Sequence, residues 1–283
     1  MRNISFFKIF SIIITVLISS CSHEQYSVID MMHIYNIQQH NDSIYFSTVD
    51  SGIFRFSPEK PDTFHRVGKK YRHPVRSIAF SKNGPCYASS YFSDLYSRDS
   101  LLPFVLFPQP AWSIKIDDSG KPWLAGLYGI YRSQADSLVL FNRLTGVHDI
   151  AFRNKELAVA HKDGISIFDR ETGALVKEFC KGVICWTINQ FDSLLIGGGR
   201  NICVIIDKDQ CKSITFGPSR NMLWAVALAS DGTLYLATQK GLYRALKNEK
   251  KARCIGFKGI CVKSLLIDNH GRLWIGRFTK DTT

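Results

Sequence analysis

The chain has 283 residues, of which 45% are hydrophobic, 12% aromatic and 21% charged, and 36 Lys and Arg against 24 Asp and Glu give a formal charge of +12. Disordered chains are poor in aromatic and apolar residues, so this composition excludes disorder. A polytopic membrane protein is excluded because only one long apolar run is present, near the start.

Residues 1–20 read MRNISFFKIFSIIITVLISS, and Cys21 follows. Arg2 and Lys8 precede an apolar core from Ile9 to Ile18. A spanning helix needs about 20 apolar residues, so this run reads as a secretory leader. The tetrad Ile18-Ser19-Ser20-Cys21 resembles the lipobox of bacterial lipoproteins. That resemblance implies cleavage before Cys21 and acylation of its thiol and new amine; an ordinary leader with a chance cysteine is the alternative. Ser22 stands where an Asp would retain such a protein at the inner membrane, so the resemblance to Gram-negative lipoproteins implies the outer membrane. Several acyl chains anchor stably where one would be marginal. The expected partner of Cys21 is therefore membrane lipid, in the cell envelope, facing the periplasm or the surface.

Removing the leader takes Arg2 and Lys8 with it and lowers the charge from +12 to +10. The remaining basic residues are dispersed, with no cluster longer than Lys69-Lys70 or Lys250-Lys251, and no nucleic-acid motif occurs. They read as solvated lysines and arginines, and a nucleic-acid partner is not expected.

From here one phrase repeats: a strand, a turn, a second strand, a Gly, then an aromatic residue and often Arg. In chain order the copies lie at 42–56, 83–98, 119–132, 154–170, 192–207, 231–244 and 269–278, with DGTLYLATQKGLYR at 231–244 the clearest. Before six of the copies stands a short apolar strand, as in Val75-Arg76-Ser77-Ile78 and Ala111-Trp112-Ser113-Ile114. The second residues of these strands are Arg76, Trp112, His148, Trp186, Trp224 and Lys263, a register of 36 to 39 residues. The first copy fits loosely, with its strand near Ile34 to Ile37. The strands are short, β-branched and aromatic, and Gly, Asp, Asn or Ser bound them. Gly52, Gly129, Gly164 and Gly241 recur where the second strand turns into the third, with Asp94 and Asn201 in that place in two copies. These positions are expected to have φ > 0.

No apolar stretch of helical period follows Cys21, so the fold class is all-β. Seven repeats of about four strands each predict a seven-bladed β-propeller over residues 33–283. A solenoid would need polar caps, and two sandwiches would not keep one register. The last copy ends soon after its second strand. Residues 21–32 are expected to form a lipidated tether whose segment Tyr26 to Met31 closes the last blade; a truncated last blade is the alternative.

The pattern V-x-x-I, acidic-x-x-G-x-L-W-I-G, G-L-Y-R resembles the two-component regulator propeller family, most closely in Ile267-Asp268-Asn269-His270-Gly271-Arg272-Leu273-Trp274-Ile275-Gly276. The resemblance spans roughly 34–278. It implies a periplasmic sensor-type propeller, often one that senses glycan fragments. No sandwich, second membrane helix or kinase of that family is read in these 283 residues, so what the resemblance is expected to carry over is the propeller and ligand or partner binding on one face.

In a propeller the entries to the first strands ring the mouth of the central channel. Arg76, Trp112, His148, Trp186, Trp224 and Lys263 would place three indoles, two fixed cations and an imidazole there. Indole faces stack on sugars, apolar rings and cations. Tyr91, His161, Lys162, Arg200, Gln239 and Arg277 are the neighbouring turn residues. Such a rim suits a glycan, a small anionic ligand or a peptide; the alternative is that these Trp residues wedge between blades as packing.

Of eight cysteines, Cys203 and Cys211 flank Asp207-Lys208-Asp209 and are candidates for a disulfide, while Cys185 and Cys261 occupy buried apolar slots. No C-x-x-C and no zinc-type His/Cys spacing occurs, so neither metal nor cofactor is expected. The stretch from Asp118 to Trp123 resembles the Asp-box of sialidases, but Ile116 occupies the leading Ser/Thr position and a plain hairpin turn suffices. His148 and His161 share one repeat, as in streptogramin-lyase-like propellers, without the accompanying Glu. No catalytic residue is assigned. The expectation is a non-catalytic ligand-binding module, with an envelope-complex scaffold as the second reading and a lyase or hydrolase as the third.

Overall fold

The computed structural model describes residues 15–17, 33–49, 52–67, 74–81, 84–89, 95–97, 100–101, 110–134 and 137–278. Among them there is no helix, and so none long and apolar enough to cross a membrane.

Each repeat folds into an antiparallel meander because its short β-branched strands are separated by tight turns. The first meander is β2 (Ile34–His40), β3 (Ser43–Thr48), β4 (Gly52–Ser57) and β5 (Lys60–Val67), after a short β1 (Thr15–Leu17). The second is β6 (Val75–Ser81), β7 (Gly84–Ser89), β8 (Leu95–Ser97) and β9 (Ser100–Leu101). The third is β10 (Ala111–Ile116), β11 (Pro122–Gly126), β12 (Gly129–Gln134) and β13 (Ser137–Asn142). The fourth is β14 (Val147–Arg153), β15 (Glu156–His161), β16 (Gly164–Asp169) and β17 (Leu175–Phe179). Next come β18 (Cys185–Phe191), β19 (Leu194–Gly199), β20 (Ile202–Asp207) and β21 (Gln210–Phe216). After these come β22 (Leu223–Leu228), β23 (Thr233–Thr238), β24 (Gly241–Leu246) and β25 (Lys251–Gly256). These last two meanders join edge to edge where β21 pairs parallel with β25, through Thr215 with Lys251 and Phe216 with Ala252. The last described strands are β26 (Cys261–Ile267) and β27 (Leu273–Phe278).

Apolar seams between successive meanders hold the circle. Trp123 and Ile130 pack against Ile150 and Phe168 across one seam, and Ile165 and Ile167 against Ile188 and Val204 across the next. Burying one such side chain contributes about 2 kcal/mol. The first strands touch in order, β2 with β6, β6 with β10, and so on to β22 with β26, and β26 returns to β2. The return seam seats Trp274 against Phe46 and Phe56, with the Trp274 and Phe56 rings 4.9 Å apart. A sheet whose two faces are both covered needs no clean polar alternation, which explains buried runs such as Leu195-Ile196. The result is an all-β propeller.

The repeating Gly at the start of the third strand has the expected backbone: φ is 99° at Gly52, 150° at Gly129, 137° at Gly164 and 137° at Gly241, and Asn201 follows with 59°. At Gly164 a Cβ would lie 2.6 Å from the Phe179 carbonyl oxygen. Glycine is therefore required there by both conformation and space.

At the final sheet, β1 lies antiparallel to β27, pairing Thr15 with Ile275, Val16 with Trp274 and Leu17 with Leu273. These residues belong to the stretch read as a leader, not to the segment expected to close the blade. The edge of β27 offers unpaired backbone groups that a β-branched run can satisfy. The expected segment, 26–31, and Cys21 lie outside the described residues.

Candidate functional site: a side-chain ring at the channel mouth

One backbone irregularity recurs at the same place in every first strand. The register of each against its second strand shifts between Ile34 and Asn36, Val75 and Ser77, Ala111 and Ser113, Val147 and Asp149, Cys185 and Thr187, Leu223 and Ala225, and Val262 and Ser264. The extra residues are Tyr35, Arg76, Trp112, His148, Trp186, Trp224 and Lys263. A β-bulge leaves its extra residue out of the ladder and re-aims its side chain. All seven side chains line one cavity of about 810 Å³ at the centre of the circle.

The six residues singled out from the sequence therefore converge, each half-buried. Tyr35 is the seventh, and sequence reasoning missed it. Its strand, Ile34-Tyr35-Asn36-Ile37, does carry the V-x-x-I spacing, but it lies 41 residues before Arg76, outside the register of the others.

Contacts run along the ring. The Trp112 and His148 rings stack at 4.8 Å with an 11° interplanar angle, His148 and Trp186 lie 3.9 Å apart, and Trp186 and Trp224 5.4 Å apart. Lys263 Nζ sits 3.0 Å from the Trp224 ring centroid and 5.9 Å from that of Tyr35, while Arg76 Cζ lies 5.3 Å from the Tyr35 centroid. The remaining two of the five Trp residues, Trp123 and Trp274, are buried in the seams. Packing is thus the role of those two, and the ring indoles face the cavity.

Beneath the ring the next residues of six of the seven first strands, Asn36, Ser77, Ser113, Asp149, Thr187 and Ser264, form a polar layer, with Ala225 the apolar exception. Asp149 knits three meanders together. Its Oδ1 accepts from Ser113 Oγ at 2.7 Å and from the Ile150 amide at 3.0 Å. Its Oδ2 accepts from Thr187 Oγ1 at 3.3 Å and from the Ile188 amide at 3.0 Å. Lys115 Nζ stands 3.8 Å from the same carboxylate and donates to Asn189 Oδ1 at 3.3 Å. On the other side of the mouth Asn36 Oδ1, Arg76 Nε and Ser264 Oγ are buried without a hydrogen-bond partner.

Burial shapes the titration of the ring. It pushes the His148 imidazole down to about 4, with His161 and Arg76 adding repulsion. It pushes the Lys263 ammonium down to about 7; Cys261 opposes this and Arg76 reinforces it. Burial also raises the Cys261 thiol beside it. At neutral pH the imidazole is an uncharged stacking surface, and Lys263 is poised between its two forms.

The other sequence candidates separate. Gln239 lines a second cavity of about 710 Å³ that shares Tyr35, Arg76, Trp224 and Lys263 with the first. His161 is buried, with Nε2 2.9 Å from Ser166 Oγ and Nδ1 accepting from the Asp163 amide. Lys162 and Arg200 are exposed, Arg277 lies within β27, and Tyr91 is outside the described residues. Among the described residues no group of three His, Cys, Asp or Glu could hold a metal ion.

Two expectations need correction or refinement. Cys203 and Cys211 are both free. The turn between their strands is the pair Lys208-Asp209, so Asp207 faces Gln210, Cys211 faces Ile206, and Cys203 faces Ile214. That register puts the two thiols on opposite faces of the sheet. The hairpin at 117–123 is structural: Asp117 accepts from the Ser119 and Lys121 amides and from Trp123 Nε1. Asp268 repeats the arrangement with the His270 and Arg272 amides and Trp274 Nε1.

Comparison with solved structures shows the same fold in several settings. The WD40 β-propeller domain of Doa1 superposes with a TM-score of 0.69 at 10% identity, covering 98% of this chain and 99% of that one. The β-propeller domain of Cps50 (Swd1) from Myceliophteria thermophila gives 0.66 at 14% identity, covering 89% and 99%. The extracellular domain of BT4673 from B. thetaiotaomicron, named as a one-component system in one structure and a hybrid two-component system in another, gives 0.66 and 0.67 at 17% identity. In the first of these the alignment covers 87% of this chain and 40% of that domain, so the chain spans well under half its length. No protein-family model matches the sequence, and no curated protein does.

Proposed function

We propose that this chain is a non-catalytic ligand-binding module of the bacterial envelope, a seven-bladed propeller of the two-component regulator type, with the bulge ring as its site and a glycan as the ligand class. The observation that carries the reading is the convergence of four flat rings, Trp112, His148, Trp186 and Trp224, on one open cavity. A pyranose presents C–H faces that suit the flat, electron-rich faces of indoles. The likeness to an extracellular sensor-system domain supports an extracytoplasmic address. In this reading Cys21 carries the lipid anchor at the outer membrane.

The test is an oligosaccharide array probed with the soluble chain from Ser22, followed by a variant in which Trp112, Trp186 and Trp224 are all Ala. The expected result is a selective glycan signal that falls at least a hundredfold in the variant. Unchanged binding, or no glycan bound by the native chain, overturns the reading.

A second reading, an envelope-protein scaffold, is favoured by the outer strands β13 and β17. They expose Leu140, Leu175 and Val176, the last two by 53% and 58%. Crosslinking on intact membranes that captures a partner through β17 would favour it.

A further inference from the structure

The ring is not uniform around its circumference. Arg76 and Lys263 flank Tyr35 on consecutive first strands, β6 and β26 on either side of β2. Among the described residues neither cation has an ion pair. The carboxylate lining the mouth, Asp149, is across the ring and engaged with Ser113, Thr187, two amides and Lys115. Arg76 Nε is buried with no acceptor.

Two neighbouring, partly desolvated cations without a counter-ion are unfavourable as a structural arrangement. Both also form the wall shared by the two cavities, so an anion placed between them would lie on a path from the indoles to the side pocket of Gln239, Lys240 and Phe278. Arg76 offers a planar fork suited to two oxygens, and Lys263 a point charge.

We propose that the ligand is an acidic oligosaccharide, whose carboxylate or sulfate sits between Arg76 and Lys263 while an adjoining sugar ring stacks on Trp224 and Trp186. The inference rests on the mouth being the glycan site and adds the ligand's charge.

The experiment uses the soluble chain and a panel of neutral, uronate-containing and sulfated oligosaccharides, followed by calorimetry on the best binder and its matched neutral form, carboxyl-reduced or desulfated. The acidic form is expected to bind at least tenfold tighter. Arg76→Gln and Lys263→Gln should each cut the ratio of acidic-form to neutral-form affinity about tenfold, whatever either does to the neutral form alone, and their melting temperatures report whether the fold is intact. A preference on uronates or on sulfates identifies which anion is read. Equal binding of acidic and neutral forms overturns the inference and leaves the glycan reading standing. Binding of no sugar at all overturns both.

Discussion

The two sides of the channel mouth are built from the same bulge in the same strand position, yet they differ in how far their polar groups are satisfied. On the side of Trp112, His148 and Trp186 the rings stack in a row, and beneath them Asp149 accepts four hydrogen bonds from three successive meanders. On the side of Lys263, Tyr35 and Arg76 two cations share an aromatic ring, and Asn36 Oδ1, Arg76 Nε and Ser264 Oγ lack partners. The first side is internally complete and holds the circle together. The second leaves hydrogen-bonding and charge demand that a ligand would meet, and buried polar groups left unmet are costly unless they serve something else.

The largest expected effect tests the complete side. Asp149→Ala removes the acceptor of Ser113, Thr187 and two amides and leaves Lys115 without its counter-charge. The expected loss is about 3 kcal/mol, a fall in Tm of about 9 °C for a chain of this size. Ser264→Ala in the corresponding layer across the mouth removes an oxygen with no partner, and its cost should stay below about 0.5 kcal/mol. Thermal or urea unfolding of the two variants measures the contrast; equal losses would break it.

Much of this geometry is legible in the sequence, for a physical reason. A β-bulge at a fixed place keeps the repeat in step, so the V-x-x-I phrase marks its own second residue as the one turned toward the channel. Six ring residues follow from that spacing. Tyr35 does not, because a longer first repeat carries it out of register. The free thiols were hidden by the turn: centring the hairpin on Lys208 suggests that Cys203 and Cys211 face each other, whereas the turn Lys208-Asp209 shifts the pairing and separates them. Lys208 has φ of 51°, a conformation no Asn or Gly signalled. The role of Asp149 is equally unmarked locally, since its partners Ser113 and Ile188 lie 36 and 39 residues away.

The unmet side is sharpened by Lys263→Met. Replacing a half-buried cation that has no counter-ion by an apolar chain of similar length should stabilise the protein by about 2 kcal/mol, a rise in Tm of about 6 °C at pH 6. The sign of its pH dependence follows from linkage. The Lys263 ammonium is held down to about 7 in the folded chain against 10.5 for the free side chain, so between these values the unfolded state binds the extra proton. Wild-type stability therefore gains from Lys263 as pH rises from 7 toward 10, and its penalty is fully present below 7. The advantage of Lys263→Met should shrink over that window. An advantage that stays constant with pH would mean that Lys263 is already compensated, and the contrast between the two sides of the mouth would weaken.

The smallest effect belongs to His148, at the centre of the stacked row. Burial lowers its imidazole to about 4 from an ordinary 6.5, so from pH 6.5 down to 4 the unfolded chain takes up a proton that the folded chain resists. Stability from this residue is present above 6.5 and is lost as the pH falls through that window. His148→Phe keeps a flat ring between Trp112 and Trp186 and removes the titration. The variant should match wild type at pH 7 to within about 0.5 kcal/mol and exceed it by about 1 kcal/mol at pH 4.5. His161 titrates in the same direction, its imidazole also lowered chiefly by burial, so some acid slope remains in the variant. The difference between the two chains is the quantity to read. If it stays flat from pH 7 to 4.5, solvent reaches His148, and the indoles on either side of it are open to a ligand along that whole arc.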